Sequence, residues 1–189
     1  MTMSTHEYEV ENKYRATDLE SVRSRLHALG GMTGSVERQV DRYLAHPARD
    51  FAETGEALRL REIDGVVEVT YKGPQVAGSA KIRREITLVT TAGSEEDART
   101  LFASLGFDPA MQVEKCRTPV ALRWRGTEFE VGLDEVETLG SFVEIEVMTD
   151  AGGAEEAGQT ISRLAEELGL GALEPRTYLE MALDVRRTS

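Results

Sequence analysis

In the stretch Glu7-Tyr8-Glu9-Val10-Glu11-Asn12-Lys13-Tyr14-Arg15, charged and apolar residues take turns almost position by position. Side chains along a strand point to opposite faces in succession. Glu7, Glu9, Glu11, Lys13 and Arg15 therefore share one face, and Tyr8, Val10 and Tyr14 share the other. A lone strand of this kind reads equally well as one with its charged side in water. Recurrence of the pattern elsewhere decides between the readings.

The pattern recurs in nearly every strand-like segment. Arg59 and Arg61 oppose Leu58 and Leu60, and Lys72 runs in phase with Glu68 and Thr70, opposite Val67, Val69 and Tyr71. Lys81, Arg83 and Glu85 oppose Ile82 and Ile86, and Lys115 shares a face with Arg117. Glu128, Glu130 and Asp134 oppose Phe129, Val131 and Leu133; Glu144 and Glu146 oppose Val143, Ile145 and Val147. An open sheet with helices on its apolar side would show the same alternation. Its wet face, however, would mix Ser, Thr, Lys and Glu, whereas these faces are rich in Arg and paired carboxylates. A closed barrel with a polar interior fits better. Such an interior is costly unless ion pairs and a charged ligand neutralise it.

The alternating segments are 7–15, 36–46, 57–63, 66–72, 81–90, 113–124, 127–134 and 142–148, eight strands in all. Helical periodicity marks four further segments. Thr17 to Leu29 has a capping box from Thr17 and Glu20; Ser94 to Leu105 and Glu155 to Leu168 follow; the last begins at Pro175 and runs to about Val185. Segments 47–56 and 73–80 read as mobile loops. Leu-Gly closes three helices, at Leu29-Gly30, Leu105-Gly106 and Leu168-Gly169, which fits either two similar halves or coincidence. The predicted fold is α+β: a closed eight-stranded antiparallel β-barrel, a tunnel with a polar lumen, flanked by about four helices. One domain over residues 1–189, with a core over about 7–183, is expected.

The 189 residues carry a formal net charge of −12, with 22 Lys and Arg against 34 Asp and Glu. That balance argues against nucleic-acid binding, which needs clustered cations. No apolar run approaches the roughly 20 residues of a membrane span, and no secretion signal is visible at the N-terminus. One cysteine, Cys116, rules out an intrachain disulfide. A cytoplasmic protein without a membrane or nucleic-acid partner is the expectation.

Glu9 with Glu11, and Glu144 with Glu146, are carboxylates two apart on a strand, spaced to converge on one hard cation such as magnesium. His6, His27 and His46 lack zinc-ligand spacing and read as surface residues. Lys13, Arg59, Arg61, Lys72, Lys81, Arg83, Lys115 and Arg117 exceed what local ion pairing needs, and cations from several strands suit a triphosphate. No glycine-rich phosphate loop occurs. Cys116 falls opposite Lys115 and Arg117 and reads as a core thiol. Trp124 and Tyr71 read as core or barrel-exterior residues.

Glu9-Val10-Glu11-Asn12-Lys13 resembles the E-x-E-x-K signature of the CYTH superfamily, the triphosphate tunnel metalloenzymes. Asp41-Arg42-Tyr43, Ala57-Leu58-Arg59-Leu60-Arg61, Thr70-Tyr71-Lys72-Gly73-Pro74, Arg83-Arg84-Glu85, Glu114-Lys115-Cys116-Arg117, Leu133-Asp134, Gly140 to Glu146 and Tyr178-Leu179-Glu180 follow in order. The resemblance implies Mg²⁺ or Mn²⁺ held by Glu9, Glu11, Glu144 and Glu146, with Asp134 beside them. It implies a triphosphate held by the eight cations named above. The Thr-Tyr-Lys-Gly-Pro, Lys-Cys-Arg and Tyr-Leu-Glu segments are most similar to class IV adenylyl cyclases of the CyaB type.

The leading expectation is conversion of ATP to cyclic AMP and pyrophosphate, with Glu9, Glu11, Lys13, Lys72 and Tyr43 at the chemistry. The alternative is a triphosphatase acting on tripolyphosphate, thiamine triphosphate or a nucleotide, with Tyr43 and Lys72 moving the proton. A non-catalytic polyphosphate or nucleotide binder is a third reading. A homodimer is implied by the resemblance alone.

Overall fold

Strand alternation and helix caps together produce fourteen elements among the described residues. The computed structural model describes residues 8–63, 66–74, 81–90, 94–150 and 152–188, without the side chains of 81 and 82. The strands are β1 (Tyr8–Arg15), β2 (Met32–Thr33), β3 (Glu37–Ala45), β4 (Ala57–Ile63), β5 (Val66–Lys72), β6 (Lys81–Thr90), β7 (Asp108–Trp124), β8 (Thr127–Val136) and β9 (Gly140–Thr149). The helices are α1 (Leu19–Ala28), α2 (Phe51–Thr54), α3 (Glu95–Ser104), α4 (Ala154–Glu167) and α5 (Tyr178–Thr188).

Hydrogen bonding orders the strands β2-β7-β3-β4-β5-β6-β1-β9-β8, and β7 also pairs with β8. The sheet therefore closes on itself as an eight-stranded β-barrel, with the two-residue β2 added on β7. The β1–β9, β3–β4, β4–β5, β5–β6 and β8–β9 registers are all antiparallel. The fold predicted from the alternation is the fold observed. Among the described residues, closure leaves no long unpaired sheet edge.

Contacts divide the chain into two compact units. The first spans the N-terminal 37 residues, 76–83 and 116–175. Here α1 and α4 cover the apolar side of the strands. Val22 and Leu26 of α1, Ile161 and Leu164 of α4, and Leu168 at the C-cap of α4 join Val10, Val120, Leu122, Val131, Val143 and Ile145 in one buried cluster. Full burial of each such side chain stabilises by about 1.5–3 kcal/mol. The second unit spans 38–75, 84–115 and 176–189. Its smaller core packs Ala98 and Phe102 of α3 against Leu44, Leu58 and Leu60.

Several local expectations need correction. Asp18, not Thr17, caps α1, its side chain accepting from the Ser21 amide at 2.9 Å. The last helix begins at Tyr178 rather than Pro175, because Thr177 and Glu180 form a reciprocal box, with Thr177 N donating to Glu180 Oε2 and Glu180 N to Thr177 Oγ1. Segment 47–56 contains α2 and ends at Glu56, a buried carboxylate that accepts from Tyr71 Oη at 2.6 Å and Thr54 Oγ1 at 2.7 Å. Of loop 73–80, residues 75–80 lie outside the described residues. Cys116 is exposed and not in the core; alternation does turn it away from Lys115 and Arg117, but no described helix covers that part of β7. Among the histidines, His27 is exposed, His46 is half-buried between the rings of Phe51 and Phe107, and His6 lies outside the described residues.

Candidate functional site

The first strand buries both of its faces. Glu9, Glu11 and Lys13 are as inaccessible as Val10 and Tyr14 on the other side. A solvated face is thereby excluded for this strand. Water is reached only at its ends, where Tyr8 is half-buried and Arg15 is exposed and pairs with Glu174. Glu7 lies outside the described residues.

In the first unit the charged face is acid-rich. Pairing of β1 with β9 sets Glu11 directly opposite Glu146 and Lys13 opposite Glu144. Like charges facing each other across strands are destabilising. Lys13, only 1% exposed, lies 3.5 Å from Glu144. Arg117 on β7 forks onto Asp134 of β8, with Nε and Nη2 each 2.7 Å from a carboxylate oxygen. The same guanidinium donates to Glu144 and stands 3.6 Å from Glu146. Burial works against the Arg117 charge, but Asp134, Glu144 and Glu146 more than offset it and hold its proton well above the ordinary range. Burial first, then the charges of Glu9, Glu144 and Glu11, push the Glu146 carboxyl well up, although Arg117 pulls the other way. Glu128 and Glu130 share this face in sequence but are exposed.

Arg83 stands apart from these pairs. It is 5% exposed, and among the described residues it has no hydrogen-bond or ion-pair partner; its Nε is buried and unsatisfied. A buried guanidinium left uncompensated is expensive. Lys81 opens β6, but its side chain lies outside the described residues.

In the second unit the charged face is cation-rich. The β3–β4 register puts Asp41 opposite Arg61 and Tyr43 opposite Arg59. Arg61 grips Asp41 with two bonds of 2.5 and 2.7 Å, and Arg59 lies 3.8 Å from the same carboxylate. Burial alone would raise the Asp41 carboxyl; Arg59, Arg61 and Lys115 outweigh it and bring it down to about 2. Burial and the Asp41 charge push the Tyr43 hydroxyl up to about 12, so it keeps its proton at neutral pH. Arg59 donates to Thr70, whose hydroxyl meets that of Thr87. Lys72 pairs with Glu85 at 2.8 Å. Lys115, on β7, lies with its ammonium 4.9 Å from the centre of the Tyr178 ring of α5.

The structure thus gathers Glu9, Glu11, Lys13, Arg117, Asp134, Glu144 and Glu146 in one unit, and Tyr43, Arg59, Arg61, Lys72 and Lys115 in the other. Two residues of consequence were not among the sequence candidates. Asp41 was visible in Asp41-Arg42-Tyr43, and its phase with Arg61 and Arg59 was the available signal. Tyr178 stood in the Tyr178-Leu179-Glu180 segment, but its place beneath Lys115 gave no signal, because that requires knowing where α5 docks.

The acidic half suits a hard divalent cation in the chemistry of its donors, which are all carboxylate oxygens. Glu11 faces Glu146 across the strands, and burial and the acidic neighbours raise the Glu146 carboxyl. Among the described residues no three acidic, His or Cys side chains already converge as a metal cage, and Arg117 is inserted among three of the carboxylates.

A family model for the CYTH domain matches residues 7–178. This chain belongs to the CYTH domain family. It is 37% identical over 138 residues, 73% of this chain and 75% of the relative, to a Methanocaldococcus jannaschii protein named "Putative adenylate cyclase MJ0240". It is 29% identical over 177 residues, 90% of this chain and 86% of the relative, to adenylate cyclase CyaB of Aeromonas hydrophila. The solved structure of the PH1819 protein from Pyrococcus horikoshii OT3 superposes with a TM-score of 0.83 at 33% identity, covering 94% of this chain and 99% of that one. No described helix is long and apolar enough to cross a membrane.

Proposed function

We propose that the chain is a divalent-metal-dependent adenylyl cyclase that converts ATP to cyclic AMP and pyrophosphate. The observation that carries an anionic ligand is Arg83, a buried guanidinium with no partner among the described residues. The names of the relatives favour the cyclase over other triphosphate chemistry.

In this reading Glu9, Glu11, Glu144 and Glu146, with Asp134 behind Arg117, hold Mg²⁺ or Mn²⁺. Such an ion, when bound, neutralises phosphate charge and acidifies a coordinated hydroxyl. Arg59, Arg61, Lys72, Lys81, Arg83, Lys115, Lys13 and Arg117 take the phosphate oxygens. The ribose 3′-hydroxyl gives up its proton to solvent water as its oxygen bonds to the α-phosphorus, the bond from that phosphorus to the bridging oxygen breaks, and pyrophosphate leaves. The cations stabilise the charge that grows on the leaving group. Tyr43, held protonated, serves as a hydrogen-bond donor to a phosphate oxygen rather than as a base.

The test is to resolve the products from ATP, and separately from tripolyphosphate, with Mg²⁺ or Mn²⁺. Cyclic AMP and pyrophosphate are expected from ATP, and Glu9→Ala or Glu11→Ala should abolish turnover while leaving the thermal melt cooperative. Orthophosphate from either substrate without cyclic AMP would replace the cyclase by a triphosphatase. No product, with binding retained, would leave a binding module.

A further inference from the structure

Gly132 lies on β8 directly opposite Glu144 and in phase with Asp134. A Cβ built there would meet the Arg117 guanidinium at 2.7 Å from Cζ and 2.8 Å from Nε and Nη2. Those distances are closer than any side chain tolerates. Gly132 has no positive φ among the described residues, so its backbone conformation does not call for glycine. The guanidinium lying over it is what does.

We propose that Gly132 is a positioning residue for Arg117. The missing side chain forms the seat on which the guanidinium rests flat against the β8 backbone, and from that seat it reaches Asp134, Glu144 and Glu146 together. Asp134 holds the near edge by its two-bond fork. The far edge is free to slide only if the seat is filled. Residue 132 therefore sets how firmly Arg117 occupies Glu144 and Glu146, and so how readily those carboxylates accept a divalent cation. Arg117 and the cation compete for the same oxygens, because a guanidinium donates to the lone pairs a metal would take. Cation uptake at these carboxylates rests on the roles proposed above; the seat itself does not.

The substitution that tests this is mild for the fold. The clashing atoms are the far end of a flexible side chain, so Gly132→Ala can be relieved by moving Arg117 alone. Two readouts on the full chain separate the parts. The first is the Arg117 Nε–H resonance, assigned by its loss in Arg117→Met. It is expected to be sharp and slowly exchanging in the wild type and displaced or exchange-broadened in Gly132→Ala. The second is Mn²⁺ affinity without nucleotide, followed by electron paramagnetic resonance. Gly132→Ala is expected to bind Mn²⁺ at least about threefold more tightly than wild type. In the Arg117→Met background the same substitution should change affinity by less than about 1.5-fold, since the group it displaces is gone.

An unmoved Arg117 resonance in a folded Gly132→Ala protein would overturn the seat. An equal affinity change with and without Arg117 would overturn its coupling to cation uptake. A wild type that binds no Mn²⁺, with the resonance displaced as expected, would overturn the cation role of the carboxylates while upholding the seat. Should Gly132→Ala fail to fold, Gly132→Ser in the Arg117→Lys background supplies a slimmer cation, and recovery of the fold there upholds the seat, whereas failure in that background too overturns it.

Discussion

At the scale of single residues, the informative feature is which buried charges have partners. Among the described residues Arg83 is the exception to buried cations that are otherwise held by carboxylates or, for Lys115, by a ring. If its missing partner is a phosphate, Arg83→Gln should raise KM for the triphosphate substrate about 10- to 100-fold, the weight of a charge-assisted hydrogen bond of about 1.5–3 kcal/mol. Thermal stability should hold or rise, since an uncompensated buried charge has been removed. A fall in Tm with KM unchanged would make Arg83 structural. Asp41 is the opposite case. Its carboxyl sits at about 2 in the folded chain against an ordinary 3.8. A depressed carboxylate stabilises the fold above its unfolded pKa, and that stability is lost as pH falls from about 4 toward 2. The loss amounts to about 2–3 kcal/mol. Asp41→Asn should therefore flatten the acid limb of a denaturant-melt series between those pH values. It should also destabilise the protein at neutral pH by about 3–5 kcal/mol, because Arg61 loses its fork. An unchanged acid limb would contradict the assignment.

At the scale of elements, the alternation of charged and apolar residues carried most of the fold. Period two located all eight barrel strands, with ends within a few residues except at β7. That strand starts at Asp108, five residues before the alternation becomes regular, because Pro109 and Met111 interrupt it. The repeated Leu-Gly has a local cause. Each glycine, Gly30, Gly106 and Gly169, has a positive φ one residue past a helix C-cap. Each helix ends with the same two bonds, as in Phe107 N to Phe102 O and Gly106 N to Ala103 O. This is the Schellman stop, and it explains the recurrence without invoking duplicated halves. Helix starts were harder to read, because several capping residues crowd together. Asp18 wins over Thr17, and Thr177 with Glu180 wins over Pro175. Thr177→Ala should accordingly lower stability by about 1 kcal/mol, read as a modest fall in Tm. It should also loosen α5 and hence Tyr178 beneath Lys115, seen as faster amide exchange through Tyr178 to Met181. Exchange unchanged there would show that packing, not the cap, fixes the helix start.

At the scale of the whole molecule, two strand faces are buried where an ordinary two-layer sheet buries one. The sequence shows which residues share a face but not whether that face meets water. Closure through β7–β8 settled it, and closure depends on pairing between strands far apart in the chain. The site was legible in residue type for the same reason it was illegible in detail. Alternation put Glu9, Glu11 and Lys13 on one strand face, Lys115 with Arg117 on another and Glu144 with Glu146 on a third, and the resemblance separated metal-side carboxylates from phosphate-side cations too cleanly. Arg117 proves to sit with the acids. An overall charge of −12 gives little long-range attraction for an anion, so affinity must come from these local cations and an accompanying metal. The most direct measurement is a calorimetric titration of α,β-methylene ATP into the protein, with and without Mn²⁺. One site per chain, tight only with Mn²⁺ and abolished in Glu9→Gln/Glu11→Gln, is the predicted result. Binding that ignores both the metal and those two carboxylates, or no binding at all, would contradict it.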